Sequence, residues 1–478
     1  MEWLPEGHLA YFILEVIREL DLSGIEEKVQ RKDWRGTRPY SPQMMTGLLL
    51  YGYAVGVFSS RRIERSTYED VAFRVLAGGE HPHFTTINEF RLEHGPALSA
   101  LFVQVLQLCH RAGLRTVGHV SLDGTKVGAN ASKHKAMSYG RMKDEEKRLL
   151  AEVEQLLARA DQVDAEEDAW YGRGQRPEDL PEELRRRDTR LAKIREARLA
   201  LEKEAAEARA AQLLEQAANQ RQRAETATDP VERKRAATRA GNSEQQAADL
   251  TGHDDDDDDD AGASPTTELP QHRVPTTEDG KPTSKAQRNF TDPDSRIMVH
   301  NGAFVQAYNA QAVVSESQLI VAHAVTNQPP DQQHLIPMME RVRDNCGKLP
   351  DVLTADAGFM AEDNARYCDR NNLDAYIAVR RKNDDQVGAS RLPMTAAEQV
   401  RWDMREKLRS ALGRELYARR KTIVEPVFGQ IKYAMRFLRF SHRGLAKVGS
   451  EWGIVCTCHN LLKLFRRVGS LAYLPESA

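Results

Sequence analysis

Seven consecutive aspartates, Asp254–Asp260, set the first limit on how this chain of 478 residues can fold. Successive Asp side chains repel one another and cannot converge without a folded scaffold. The run and the Pro, Thr, Ser and Gly around it, residues 251–285, are therefore expected to form a disordered acidic linker. Residues 142–250, just ahead of it, are rich in Ala, Glu, Arg and Gln. Leu149, Leu150, Val153, Leu156 and Leu157 make one helical stripe; Leu184, Leu191, Ile194 and Leu201 make another. Gly172, Gly174, Pro177 and Pro181 separate the two, which predicts a helical hairpin or short coiled coil. Large apolar residues nearly vanish from Glu215 onward, so order is expected to fade there. This insertion interrupts the sequence able to build a core.

The formal net charge of −3 hides an asymmetry, because without the seven aspartates it becomes +4. From Arg401 to Arg467 there are 16 Lys and Arg against 5 Asp and Glu. That concentration points to an acidic partner such as nucleic acid. Cys109, Cys346, Cys368, Cys456 and Cys458 include no CxxC pair and read as reduced thiols of a cytoplasmic protein. The N-terminal residues lack a basic leader before an apolar run, so no signal peptide is expected. No apolar run is long enough to span a bilayer, and no membrane partner is expected.

Residues 1–116 read as a helical domain for DNA binding or dimerisation. Leu9, Phe12, Ile13, Val16, Ile17 and Leu20 follow helical spacing, and Ser41-Pro42 marks a helix start by its cap and first-turn proline. His119–Val127 then reads as a short apolar strand carrying one acid, Asp123, followed by Gly124. A buried strand Asp must be paired or ligate a cation; the plainer alternative is a strand-end Asp capping a turn with Gly124. Asn130–Arg141 reads as a loop. Beyond the linker, Asp292–Arg296 reads as a turn. Strands are predicted at 303–314 and 318–325, joined at Ser315–Ser317. A helix (331–346), a strand (352–355) ending at Asp356, a helix (361–371) and a strand (375–379) follow. The whole describes an α/β protein with helices packed on a mixed sheet.

Thr422–Leu438 closes the pattern as a basic amphipathic helix. Val427, Ile431, Met435 and Leu438 would face a core. Glu425, Phe428, Lys432, Arg436 and Arg439 share another face, and Pro426 places Glu425 near a helix start. One acid at the end of a cationic stripe suits a divalent metal with a phosphodiester laid along the cations. A surface acid paired with a neighbouring Arg is the alternative. Asp123, Asp356 and Glu425 come from three elements that can meet at one sheet edge, where their repulsion calls for cations. Oxygen-only ligation suits Mg²⁺, or Mn²⁺, better than zinc, and two ions about 3.5–4 Å apart would serve phosphodiester chemistry. Cys456, Cys458 and His459 lie on an apolar helix-like run and read as core. No Walker-type phosphate loop is present, so no ATP requirement is expected.

The segments SLDGTKVGANASKHKAMSYGRM, TDPDSRIM, TADAGF and KTIVEPVFGQIK closely resemble bacterial insertion-sequence transposases of the DDE type, with an RNase H-like (retroviral-integrase superfamily) catalytic core. YSPQMMTGLLLYGYAVGVFSSRRIE and HPHFTTINEFR resemble the helical N-terminal domain of the same family. The resemblance covers most of residues 40–465 apart from the insert. It implies that Asp123, Asp356 and Glu425 are the metal-binding catalytic triad. It also implies a core of residues 117–141 and 286–467, with 468–478 as a tail. In related families a Tyr, an Arg, the Glu and a Lys stand at fixed spacing. Here Glu425 and Lys432 match, Tyr417 and Arg420 each sit one position further upstream, and Lys421 occupies the Arg slot. Lys432, Arg420, Lys421, Tyr417, Arg436, Arg439, Lys126 and Arg296 are the implied DNA contacts, and Asp292 and Asp294 belong to a turn. The implied function is Mg²⁺-dependent cutting at the element's terminal inverted repeats and joining to target DNA, by a homodimer in the bacterial cytoplasm at the nucleoid. An inactive DNA-binding regulator and a metal-dependent nuclease without strand transfer remain as alternatives.

Overall fold

The computed structural model describes residues 4–30, 39–115, 117–171, 182–251, 268–379 and 395–473. The Asp254–Asp260 run and the Gly172, Gly174, Pro177 and Pro181 separators lie outside the described residues. In chain order the first helices are α1 (Leu9–Glu19), α2 (Ser23–Gln30), α3 (Pro42–Ala54), α4 (Ser60–Glu69), α5 (Val71–Leu76), α6 (Phe84–Glu93) and α7 (Gly95–Arg111). Then come α8 (Tyr139–Tyr171), α9 (Glu182–Thr226), α10 (Pro230–Thr251), α11 (Leu335–Cys346) and α12 (Glu362–Arg370). The last are α13 (Ala396–Arg409), α14 (Ala411–Ile423), α15 (Glu425–Gly429) and α16 (Leu445–Val468). The strands are β1 (His119–Gly128), β2 (Ala136–Ser138), β3 (Gln287–Asn289), β4 (Arg296–His300), β5 (Ala303–Ser315), β6 (Ile320–Thr326), β7 (Val352–Ala355) and β8 (Asp374–Ile377).

Two compact units result, one of residues 1–130, 262–271 and 297–478, the other of 131–261 and 272–296. In the first, the sheet runs β6-β5-β1-β7-β8, with β4 also on β5. The pairs β6–β5 and β5–β1 are antiparallel, and β1–β7 and β7–β8 are parallel. This mixed sheet is the RNase H-like core expected from the sequence. Asn301 and Gly302, both at positive φ (49° and 76°), turn β4 into β5. An Asn-Gly pair at positive φ marks a type I′ hairpin turn, whose twist suits two adjoining strands. The sequence reading starts this region at Ala303 and misses β4.

The N-terminal helices share one continuous apolar core with the sheet, from Ala10 to Leu464. α3 starts where the Ser41-Pro42 signal puts it, with Ser41 Oγ accepting from the Met44 amide. α16 is the link, since it packs on α7, α3 and β6. Its Asn460 brackets Ile320 of β6, accepting from the Ile320 amide at 2.9 Å and donating to its carbonyl at 2.8 Å. Cys456, Cys458 and His459 are fully buried in this helix, as core residues.

In the second unit, β2 and β3 pair antiparallel, so residues 131–141 and 286–296 belong with the insert rather than with the catalytic sheet. Tyr139 anchors this base by packing with Leu201, Ala205, Val274 and Ala286. Order does not fade after Glu215: α9 continues to Thr226 and α10 returns along it. Ala217, Ala224, Ala236, Ala240 and Ala247 are buried there. Alanine lets helices pack closely at little entropic cost, which a reading based on large apolar residues overlooks. Residues 272–285, grouped with the linker by composition, form a turn closed by a Thr276–Pro282 bridge and a Thr277 N–H to Lys281 O bond of 2.8 Å.

Candidate active site

Asp123 lies in the middle of β1, opposite Ala312 of β5, so it does not cap a turn. Gly124 beside it is a matter of space: a Cβ there would sit 2.3 Å from Gln311 Nε2. β7 runs parallel to β1 with Ala355 paired to Leu122. The next residue on each strand is an acid, so the register alone sets Asp356 beside Asp123. Asp356 leaves the strand as a cap, its Oδ1 accepting from the Gly358 amide at 2.8 Å. Asp123 Oδ1 accepts from the Gly124 amide at 2.9 Å, and its Oδ2 takes an Arg420 guanidinium bond of 2.6 Å. Burial pushes the Asp123 carboxyl up to about 6; Arg420 opposes this, and Asp356 adds to it. Adjacent carboxylates in a poorly solvated place fit an oxygen-ligated divalent cation.

α14 packs over β1, β7 and β8. It brings Tyr417 and Arg420 to the acids. Burial raises the Tyr417 phenol, and the charges of Arg420, Asp356 and Asp123 act on it. The sequence pattern predicts no element between the 375–379 strand and Thr422, where the structure has α13 and α14. Their start signals are present, however: Thr395 and Glu398 form a reciprocal capping box and Ser410 caps Gly413. Both patterns are legible as N-cap chemistry.

Pro426, with no amide hydrogen, interrupts the helical ladder at Thr422, and Gln318 Nε2 donates to the Thr422 carbonyl instead at 2.9 Å. Val424 stays in the right-handed region, so α15 continues from α14 with Glu425 as its first residue. A π-turn follows at residues 430–434 and contains Lys432. Burial lowers the Lys432 ammonium, while the Asp123 charge raises it. At 100° per residue, Tyr417, Arg420, Lys421, Glu425 and Lys432 fall within one ~140° arc. Glu425 and Lys421 are exposed. Among the described residues no group of three His, Cys, Asp or Glu stands close enough to hold a metal ion.

Four sequence-predicted contacts stand elsewhere than expected. The helix stops short of Leu438: Arg436 takes φ 59°, and Gly128 N–H to Leu438 O and Phe440 N–H to Gly128 O bonds pair the next segment with the end of β1. Arg436 and Arg439 therefore leave the helical face, Phe437 and Phe440 enter the core, and Leu438 is exposed. Phe428, placed by spacing beside Glu425, is buried. Arg296 folds back on its own turn, donating to the Pro293 and Ser295 carbonyls with Glu204 at 3.9 Å. Lys126 is largely buried and donates to the Pro329 carbonyl at 2.9 Å.

One acid of the site escaped the sequence reading. Asp331 lies between β6 and α11, and its Oδ1 accepts from Asn309 Nδ2 (2.7 Å) and Gln311 Nε2 (2.8 Å). Burial alone would raise its carboxyl. His334, Lys126 and Asn309 outweigh burial and hold it below the usual range. Helical spacing puts Asp331 at the start of a helix, which in the structure begins only at Leu335; an acid ahead of a helix gives no sign in the sequence that it faces the site.

Two family comparisons cover the ends of the chain. A transposase DDE domain matches residues 272–461, and a transposase domain of the DUF772 type matches residues 1–93. No curated protein and no solved structure matches the chain. With the mixed sheet, the paired Asp123 and Asp356, and both domain matches, the chain belongs to the DDE-type insertion-sequence transposases. Its function is transposition, and its family implies a DNA partner and divalent metal chemistry. Among the described residues no helix is long and apolar enough to cross a membrane.

Proposed function

We propose that this transposase cuts phosphodiester bonds at the ends of its own insertion sequence and joins them to target DNA, using Asp123, Asp356 and Glu425 as ligands for Mg²⁺ or Mn²⁺. The carrying observation is the β1–β7 register, which sets two half-buried acids side by side, with Tyr417 and Arg420 of α14 and Lys432 of the following π-turn beside them. Glu425 is assigned as the third ligand, drawn in to the two aspartates as metal and DNA bind, because it lies in the chain between Arg420 and Lys432, both of which interact with Asp123. Divalent ions bound there would supply an activated water or 3′-hydroxyl and neutralise the leaving oxygen.

The chain's own residues do the rest. Lys432 holds a phosphate oxygen beside the acids. Tyr417 donates its hydroxyl to the phosphate, and Arg420 passes from Asp123 to the backbone as DNA enters. Lys421, Arg436 and Arg439 are exposed and supply salt-sensitive backbone attraction outside the cut. Two copies would act together on paired terminal inverted repeats, in the cytoplasm at the nucleoid.

The test is cleavage and joining of a labelled duplex carrying the element's own ends. Mg²⁺ should support both reactions, and Asp123→Asn, Asp356→Asn and Glu425→Gln should each abolish them. Tight binding with no cut in Mg²⁺ or Mn²⁺ would assign the chain to DNA-binding regulators instead. Hydrolysis without joining would leave a nuclease.

A further inference from the structure

Asp331 is the hub of a network that the reading above does not use. By the β1–β5 register, Lys126 stands opposite Asn309 and Gly124 opposite Gln311. Alternation along a strand puts these residues on one sheet face and Asp123 on the other. The two amides converge on Asp331 Oδ1 at 2.7 and 2.8 Å, and Gln311 Nε2 also bonds Asn309 Oδ1 at 3.0 Å. Lys126 Nζ lies 3.7 Å from the same oxygen. His334, fully buried, brings its Nδ1 to 3.5 Å. A Cβ placed on Gly358 would lie 3.4 Å from Asp331 Oδ2 and 2.9 Å from Asp356 Oδ1, so the two carboxylates flank this glycine.

We propose that Asp331 is a positioning residue of the transposition site: it ties the Lys126 ammonium and the Asn309–Gln311 amides beneath the strand that carries Asp123, and so keeps that ammonium off the acids that take divalent cations. The proposal rests on the metal-binding reading of Asp123 and Asp356. Lysine is a compact charge on a flexible four-carbon stem. Three acids act on Lys126, in the order Asp331, Asp356, Asp123. With Asp331 neutralised, the acids still acting on the ammonium are Asp356 and Asp123, and Asp356, which flanks Gly358 together with Asp331, is where it competes with a metal ion. The glycine after Asp123 belongs to the same device, because any side chain there would displace the Gln311 amide.

The experiment titrates Mn²⁺ into the full-length protein without DNA, reading free Mn²⁺ by electron paramagnetic resonance, with thermal melts in EDTA as a check on folding. Asp331→Asn should weaken Mn²⁺ binding by about 10- to 100-fold, the usual loss when an outer partner of a metal ligand is removed. Adding Lys126→Met should restore binding to within about threefold of wild type, since the two sites are coupled through one charge. Lys126→Met alone should bind at least as tightly as wild type, and it decides the matter if Asp331→Asn does not fold. Unchanged affinity in Asp331→Asn overturns the proposal. So does a double variant as weak as the single one, which would make Asp331 a ligand or a fold support. So does weakened binding in Lys126→Met. If wild type shows no Mn²⁺ binding that Asp123→Asn removes, the metal reading itself fails, an outcome separate from all of these.

Discussion

Glu451→Ala should be the most damaging single change in the N-terminal helices' attachment to the sheet. Glu451 is 1% exposed and accepts three hydrogen bonds: from the Tyr53 hydroxyl (2.9 Å), the Ser441 amide (2.9 Å) and the His442 amide (3.2 Å). Arg91, 5% exposed, donates to the same Tyr53 hydroxyl at 3.0 Å and to the Phe58 carbonyl at 2.9 Å. The pair thus joins α3, α6 and α16 through one tyrosine. Removing the carboxylate leaves the Tyr53 hydroxyl and the Ser441 and His442 amides without their acceptor and takes away the negative charge across Tyr53 from Arg91, a change that costs about 3–5 kcal/mol. Glu451→Gln keeps the shape and one acceptor, so its loss should be smaller, about 1–3 kcal/mol. The assay is urea denaturation followed by tryptophan fluorescence, for the single variants, Arg91→Ala and the double variant. A coupling energy above about 1 kcal/mol between positions 451 and 91 is expected. A Glu451→Ala loss below about 1 kcal/mol, or strict additivity with Arg91→Ala, would refute the reasoning.

Asp123→Asn should stabilise the fold at pH 7 while abolishing transposition. A carboxyl whose titration moves from 3.8 to about 6 on folding opposes the charged fold by up to about 3 kcal/mol; thermal melts check the sign, and a destabilised variant would contradict it. Burial lowers both His442 and His459 to about 4. Their contribution is present above pH 6.5 and lost as pH falls from 6.5 towards 4, because the unfolded chain takes up protons that the fold refuses. Urea midpoints should therefore fall across that window, and Asp123 offsets only part of the loss; a midpoint that rises on acidification would exclude this. Gly124→Ala should cost about 1–3 kcal/mol by overpacking against Gln311, with circular dichroism melts as the check.

Much of the catalytic fold is legible in the chain because its signals are local. Val352–Ala355 is a short apolar run bounded by turn residues, and β7 occupies it in full. Ser41-Pro42 is cap chemistry confined to neighbouring residues, and α3 begins there. Asp123 and Asp356 stand out because an acid in or at the end of an apolar strand is costly without a reason. What stayed hidden is what local pattern cannot encode. The second helical return in the insert is held by alanines, whose small size helps only once another helix is near. Arg436 and Arg439 left the basic helix because the end of β1 offers Gly128 as a pairing partner, and that strand is some three hundred residues away in the chain.

The sequence by itself determined the acids, the strands that carry them and the cationic helix that follows. Only the tertiary structure decided which cation meets which acid. Arg420, read as a DNA contact, is the partner of Asp123, and Lys126 is drawn to Asp331 and the Pro329 carbonyl. The reason is physical: periodicity reports which face of an element is apolar, whereas an ion pair depends on the register between strands and on how a helix lies across them. Those are set by packing between residues far apart in the chain.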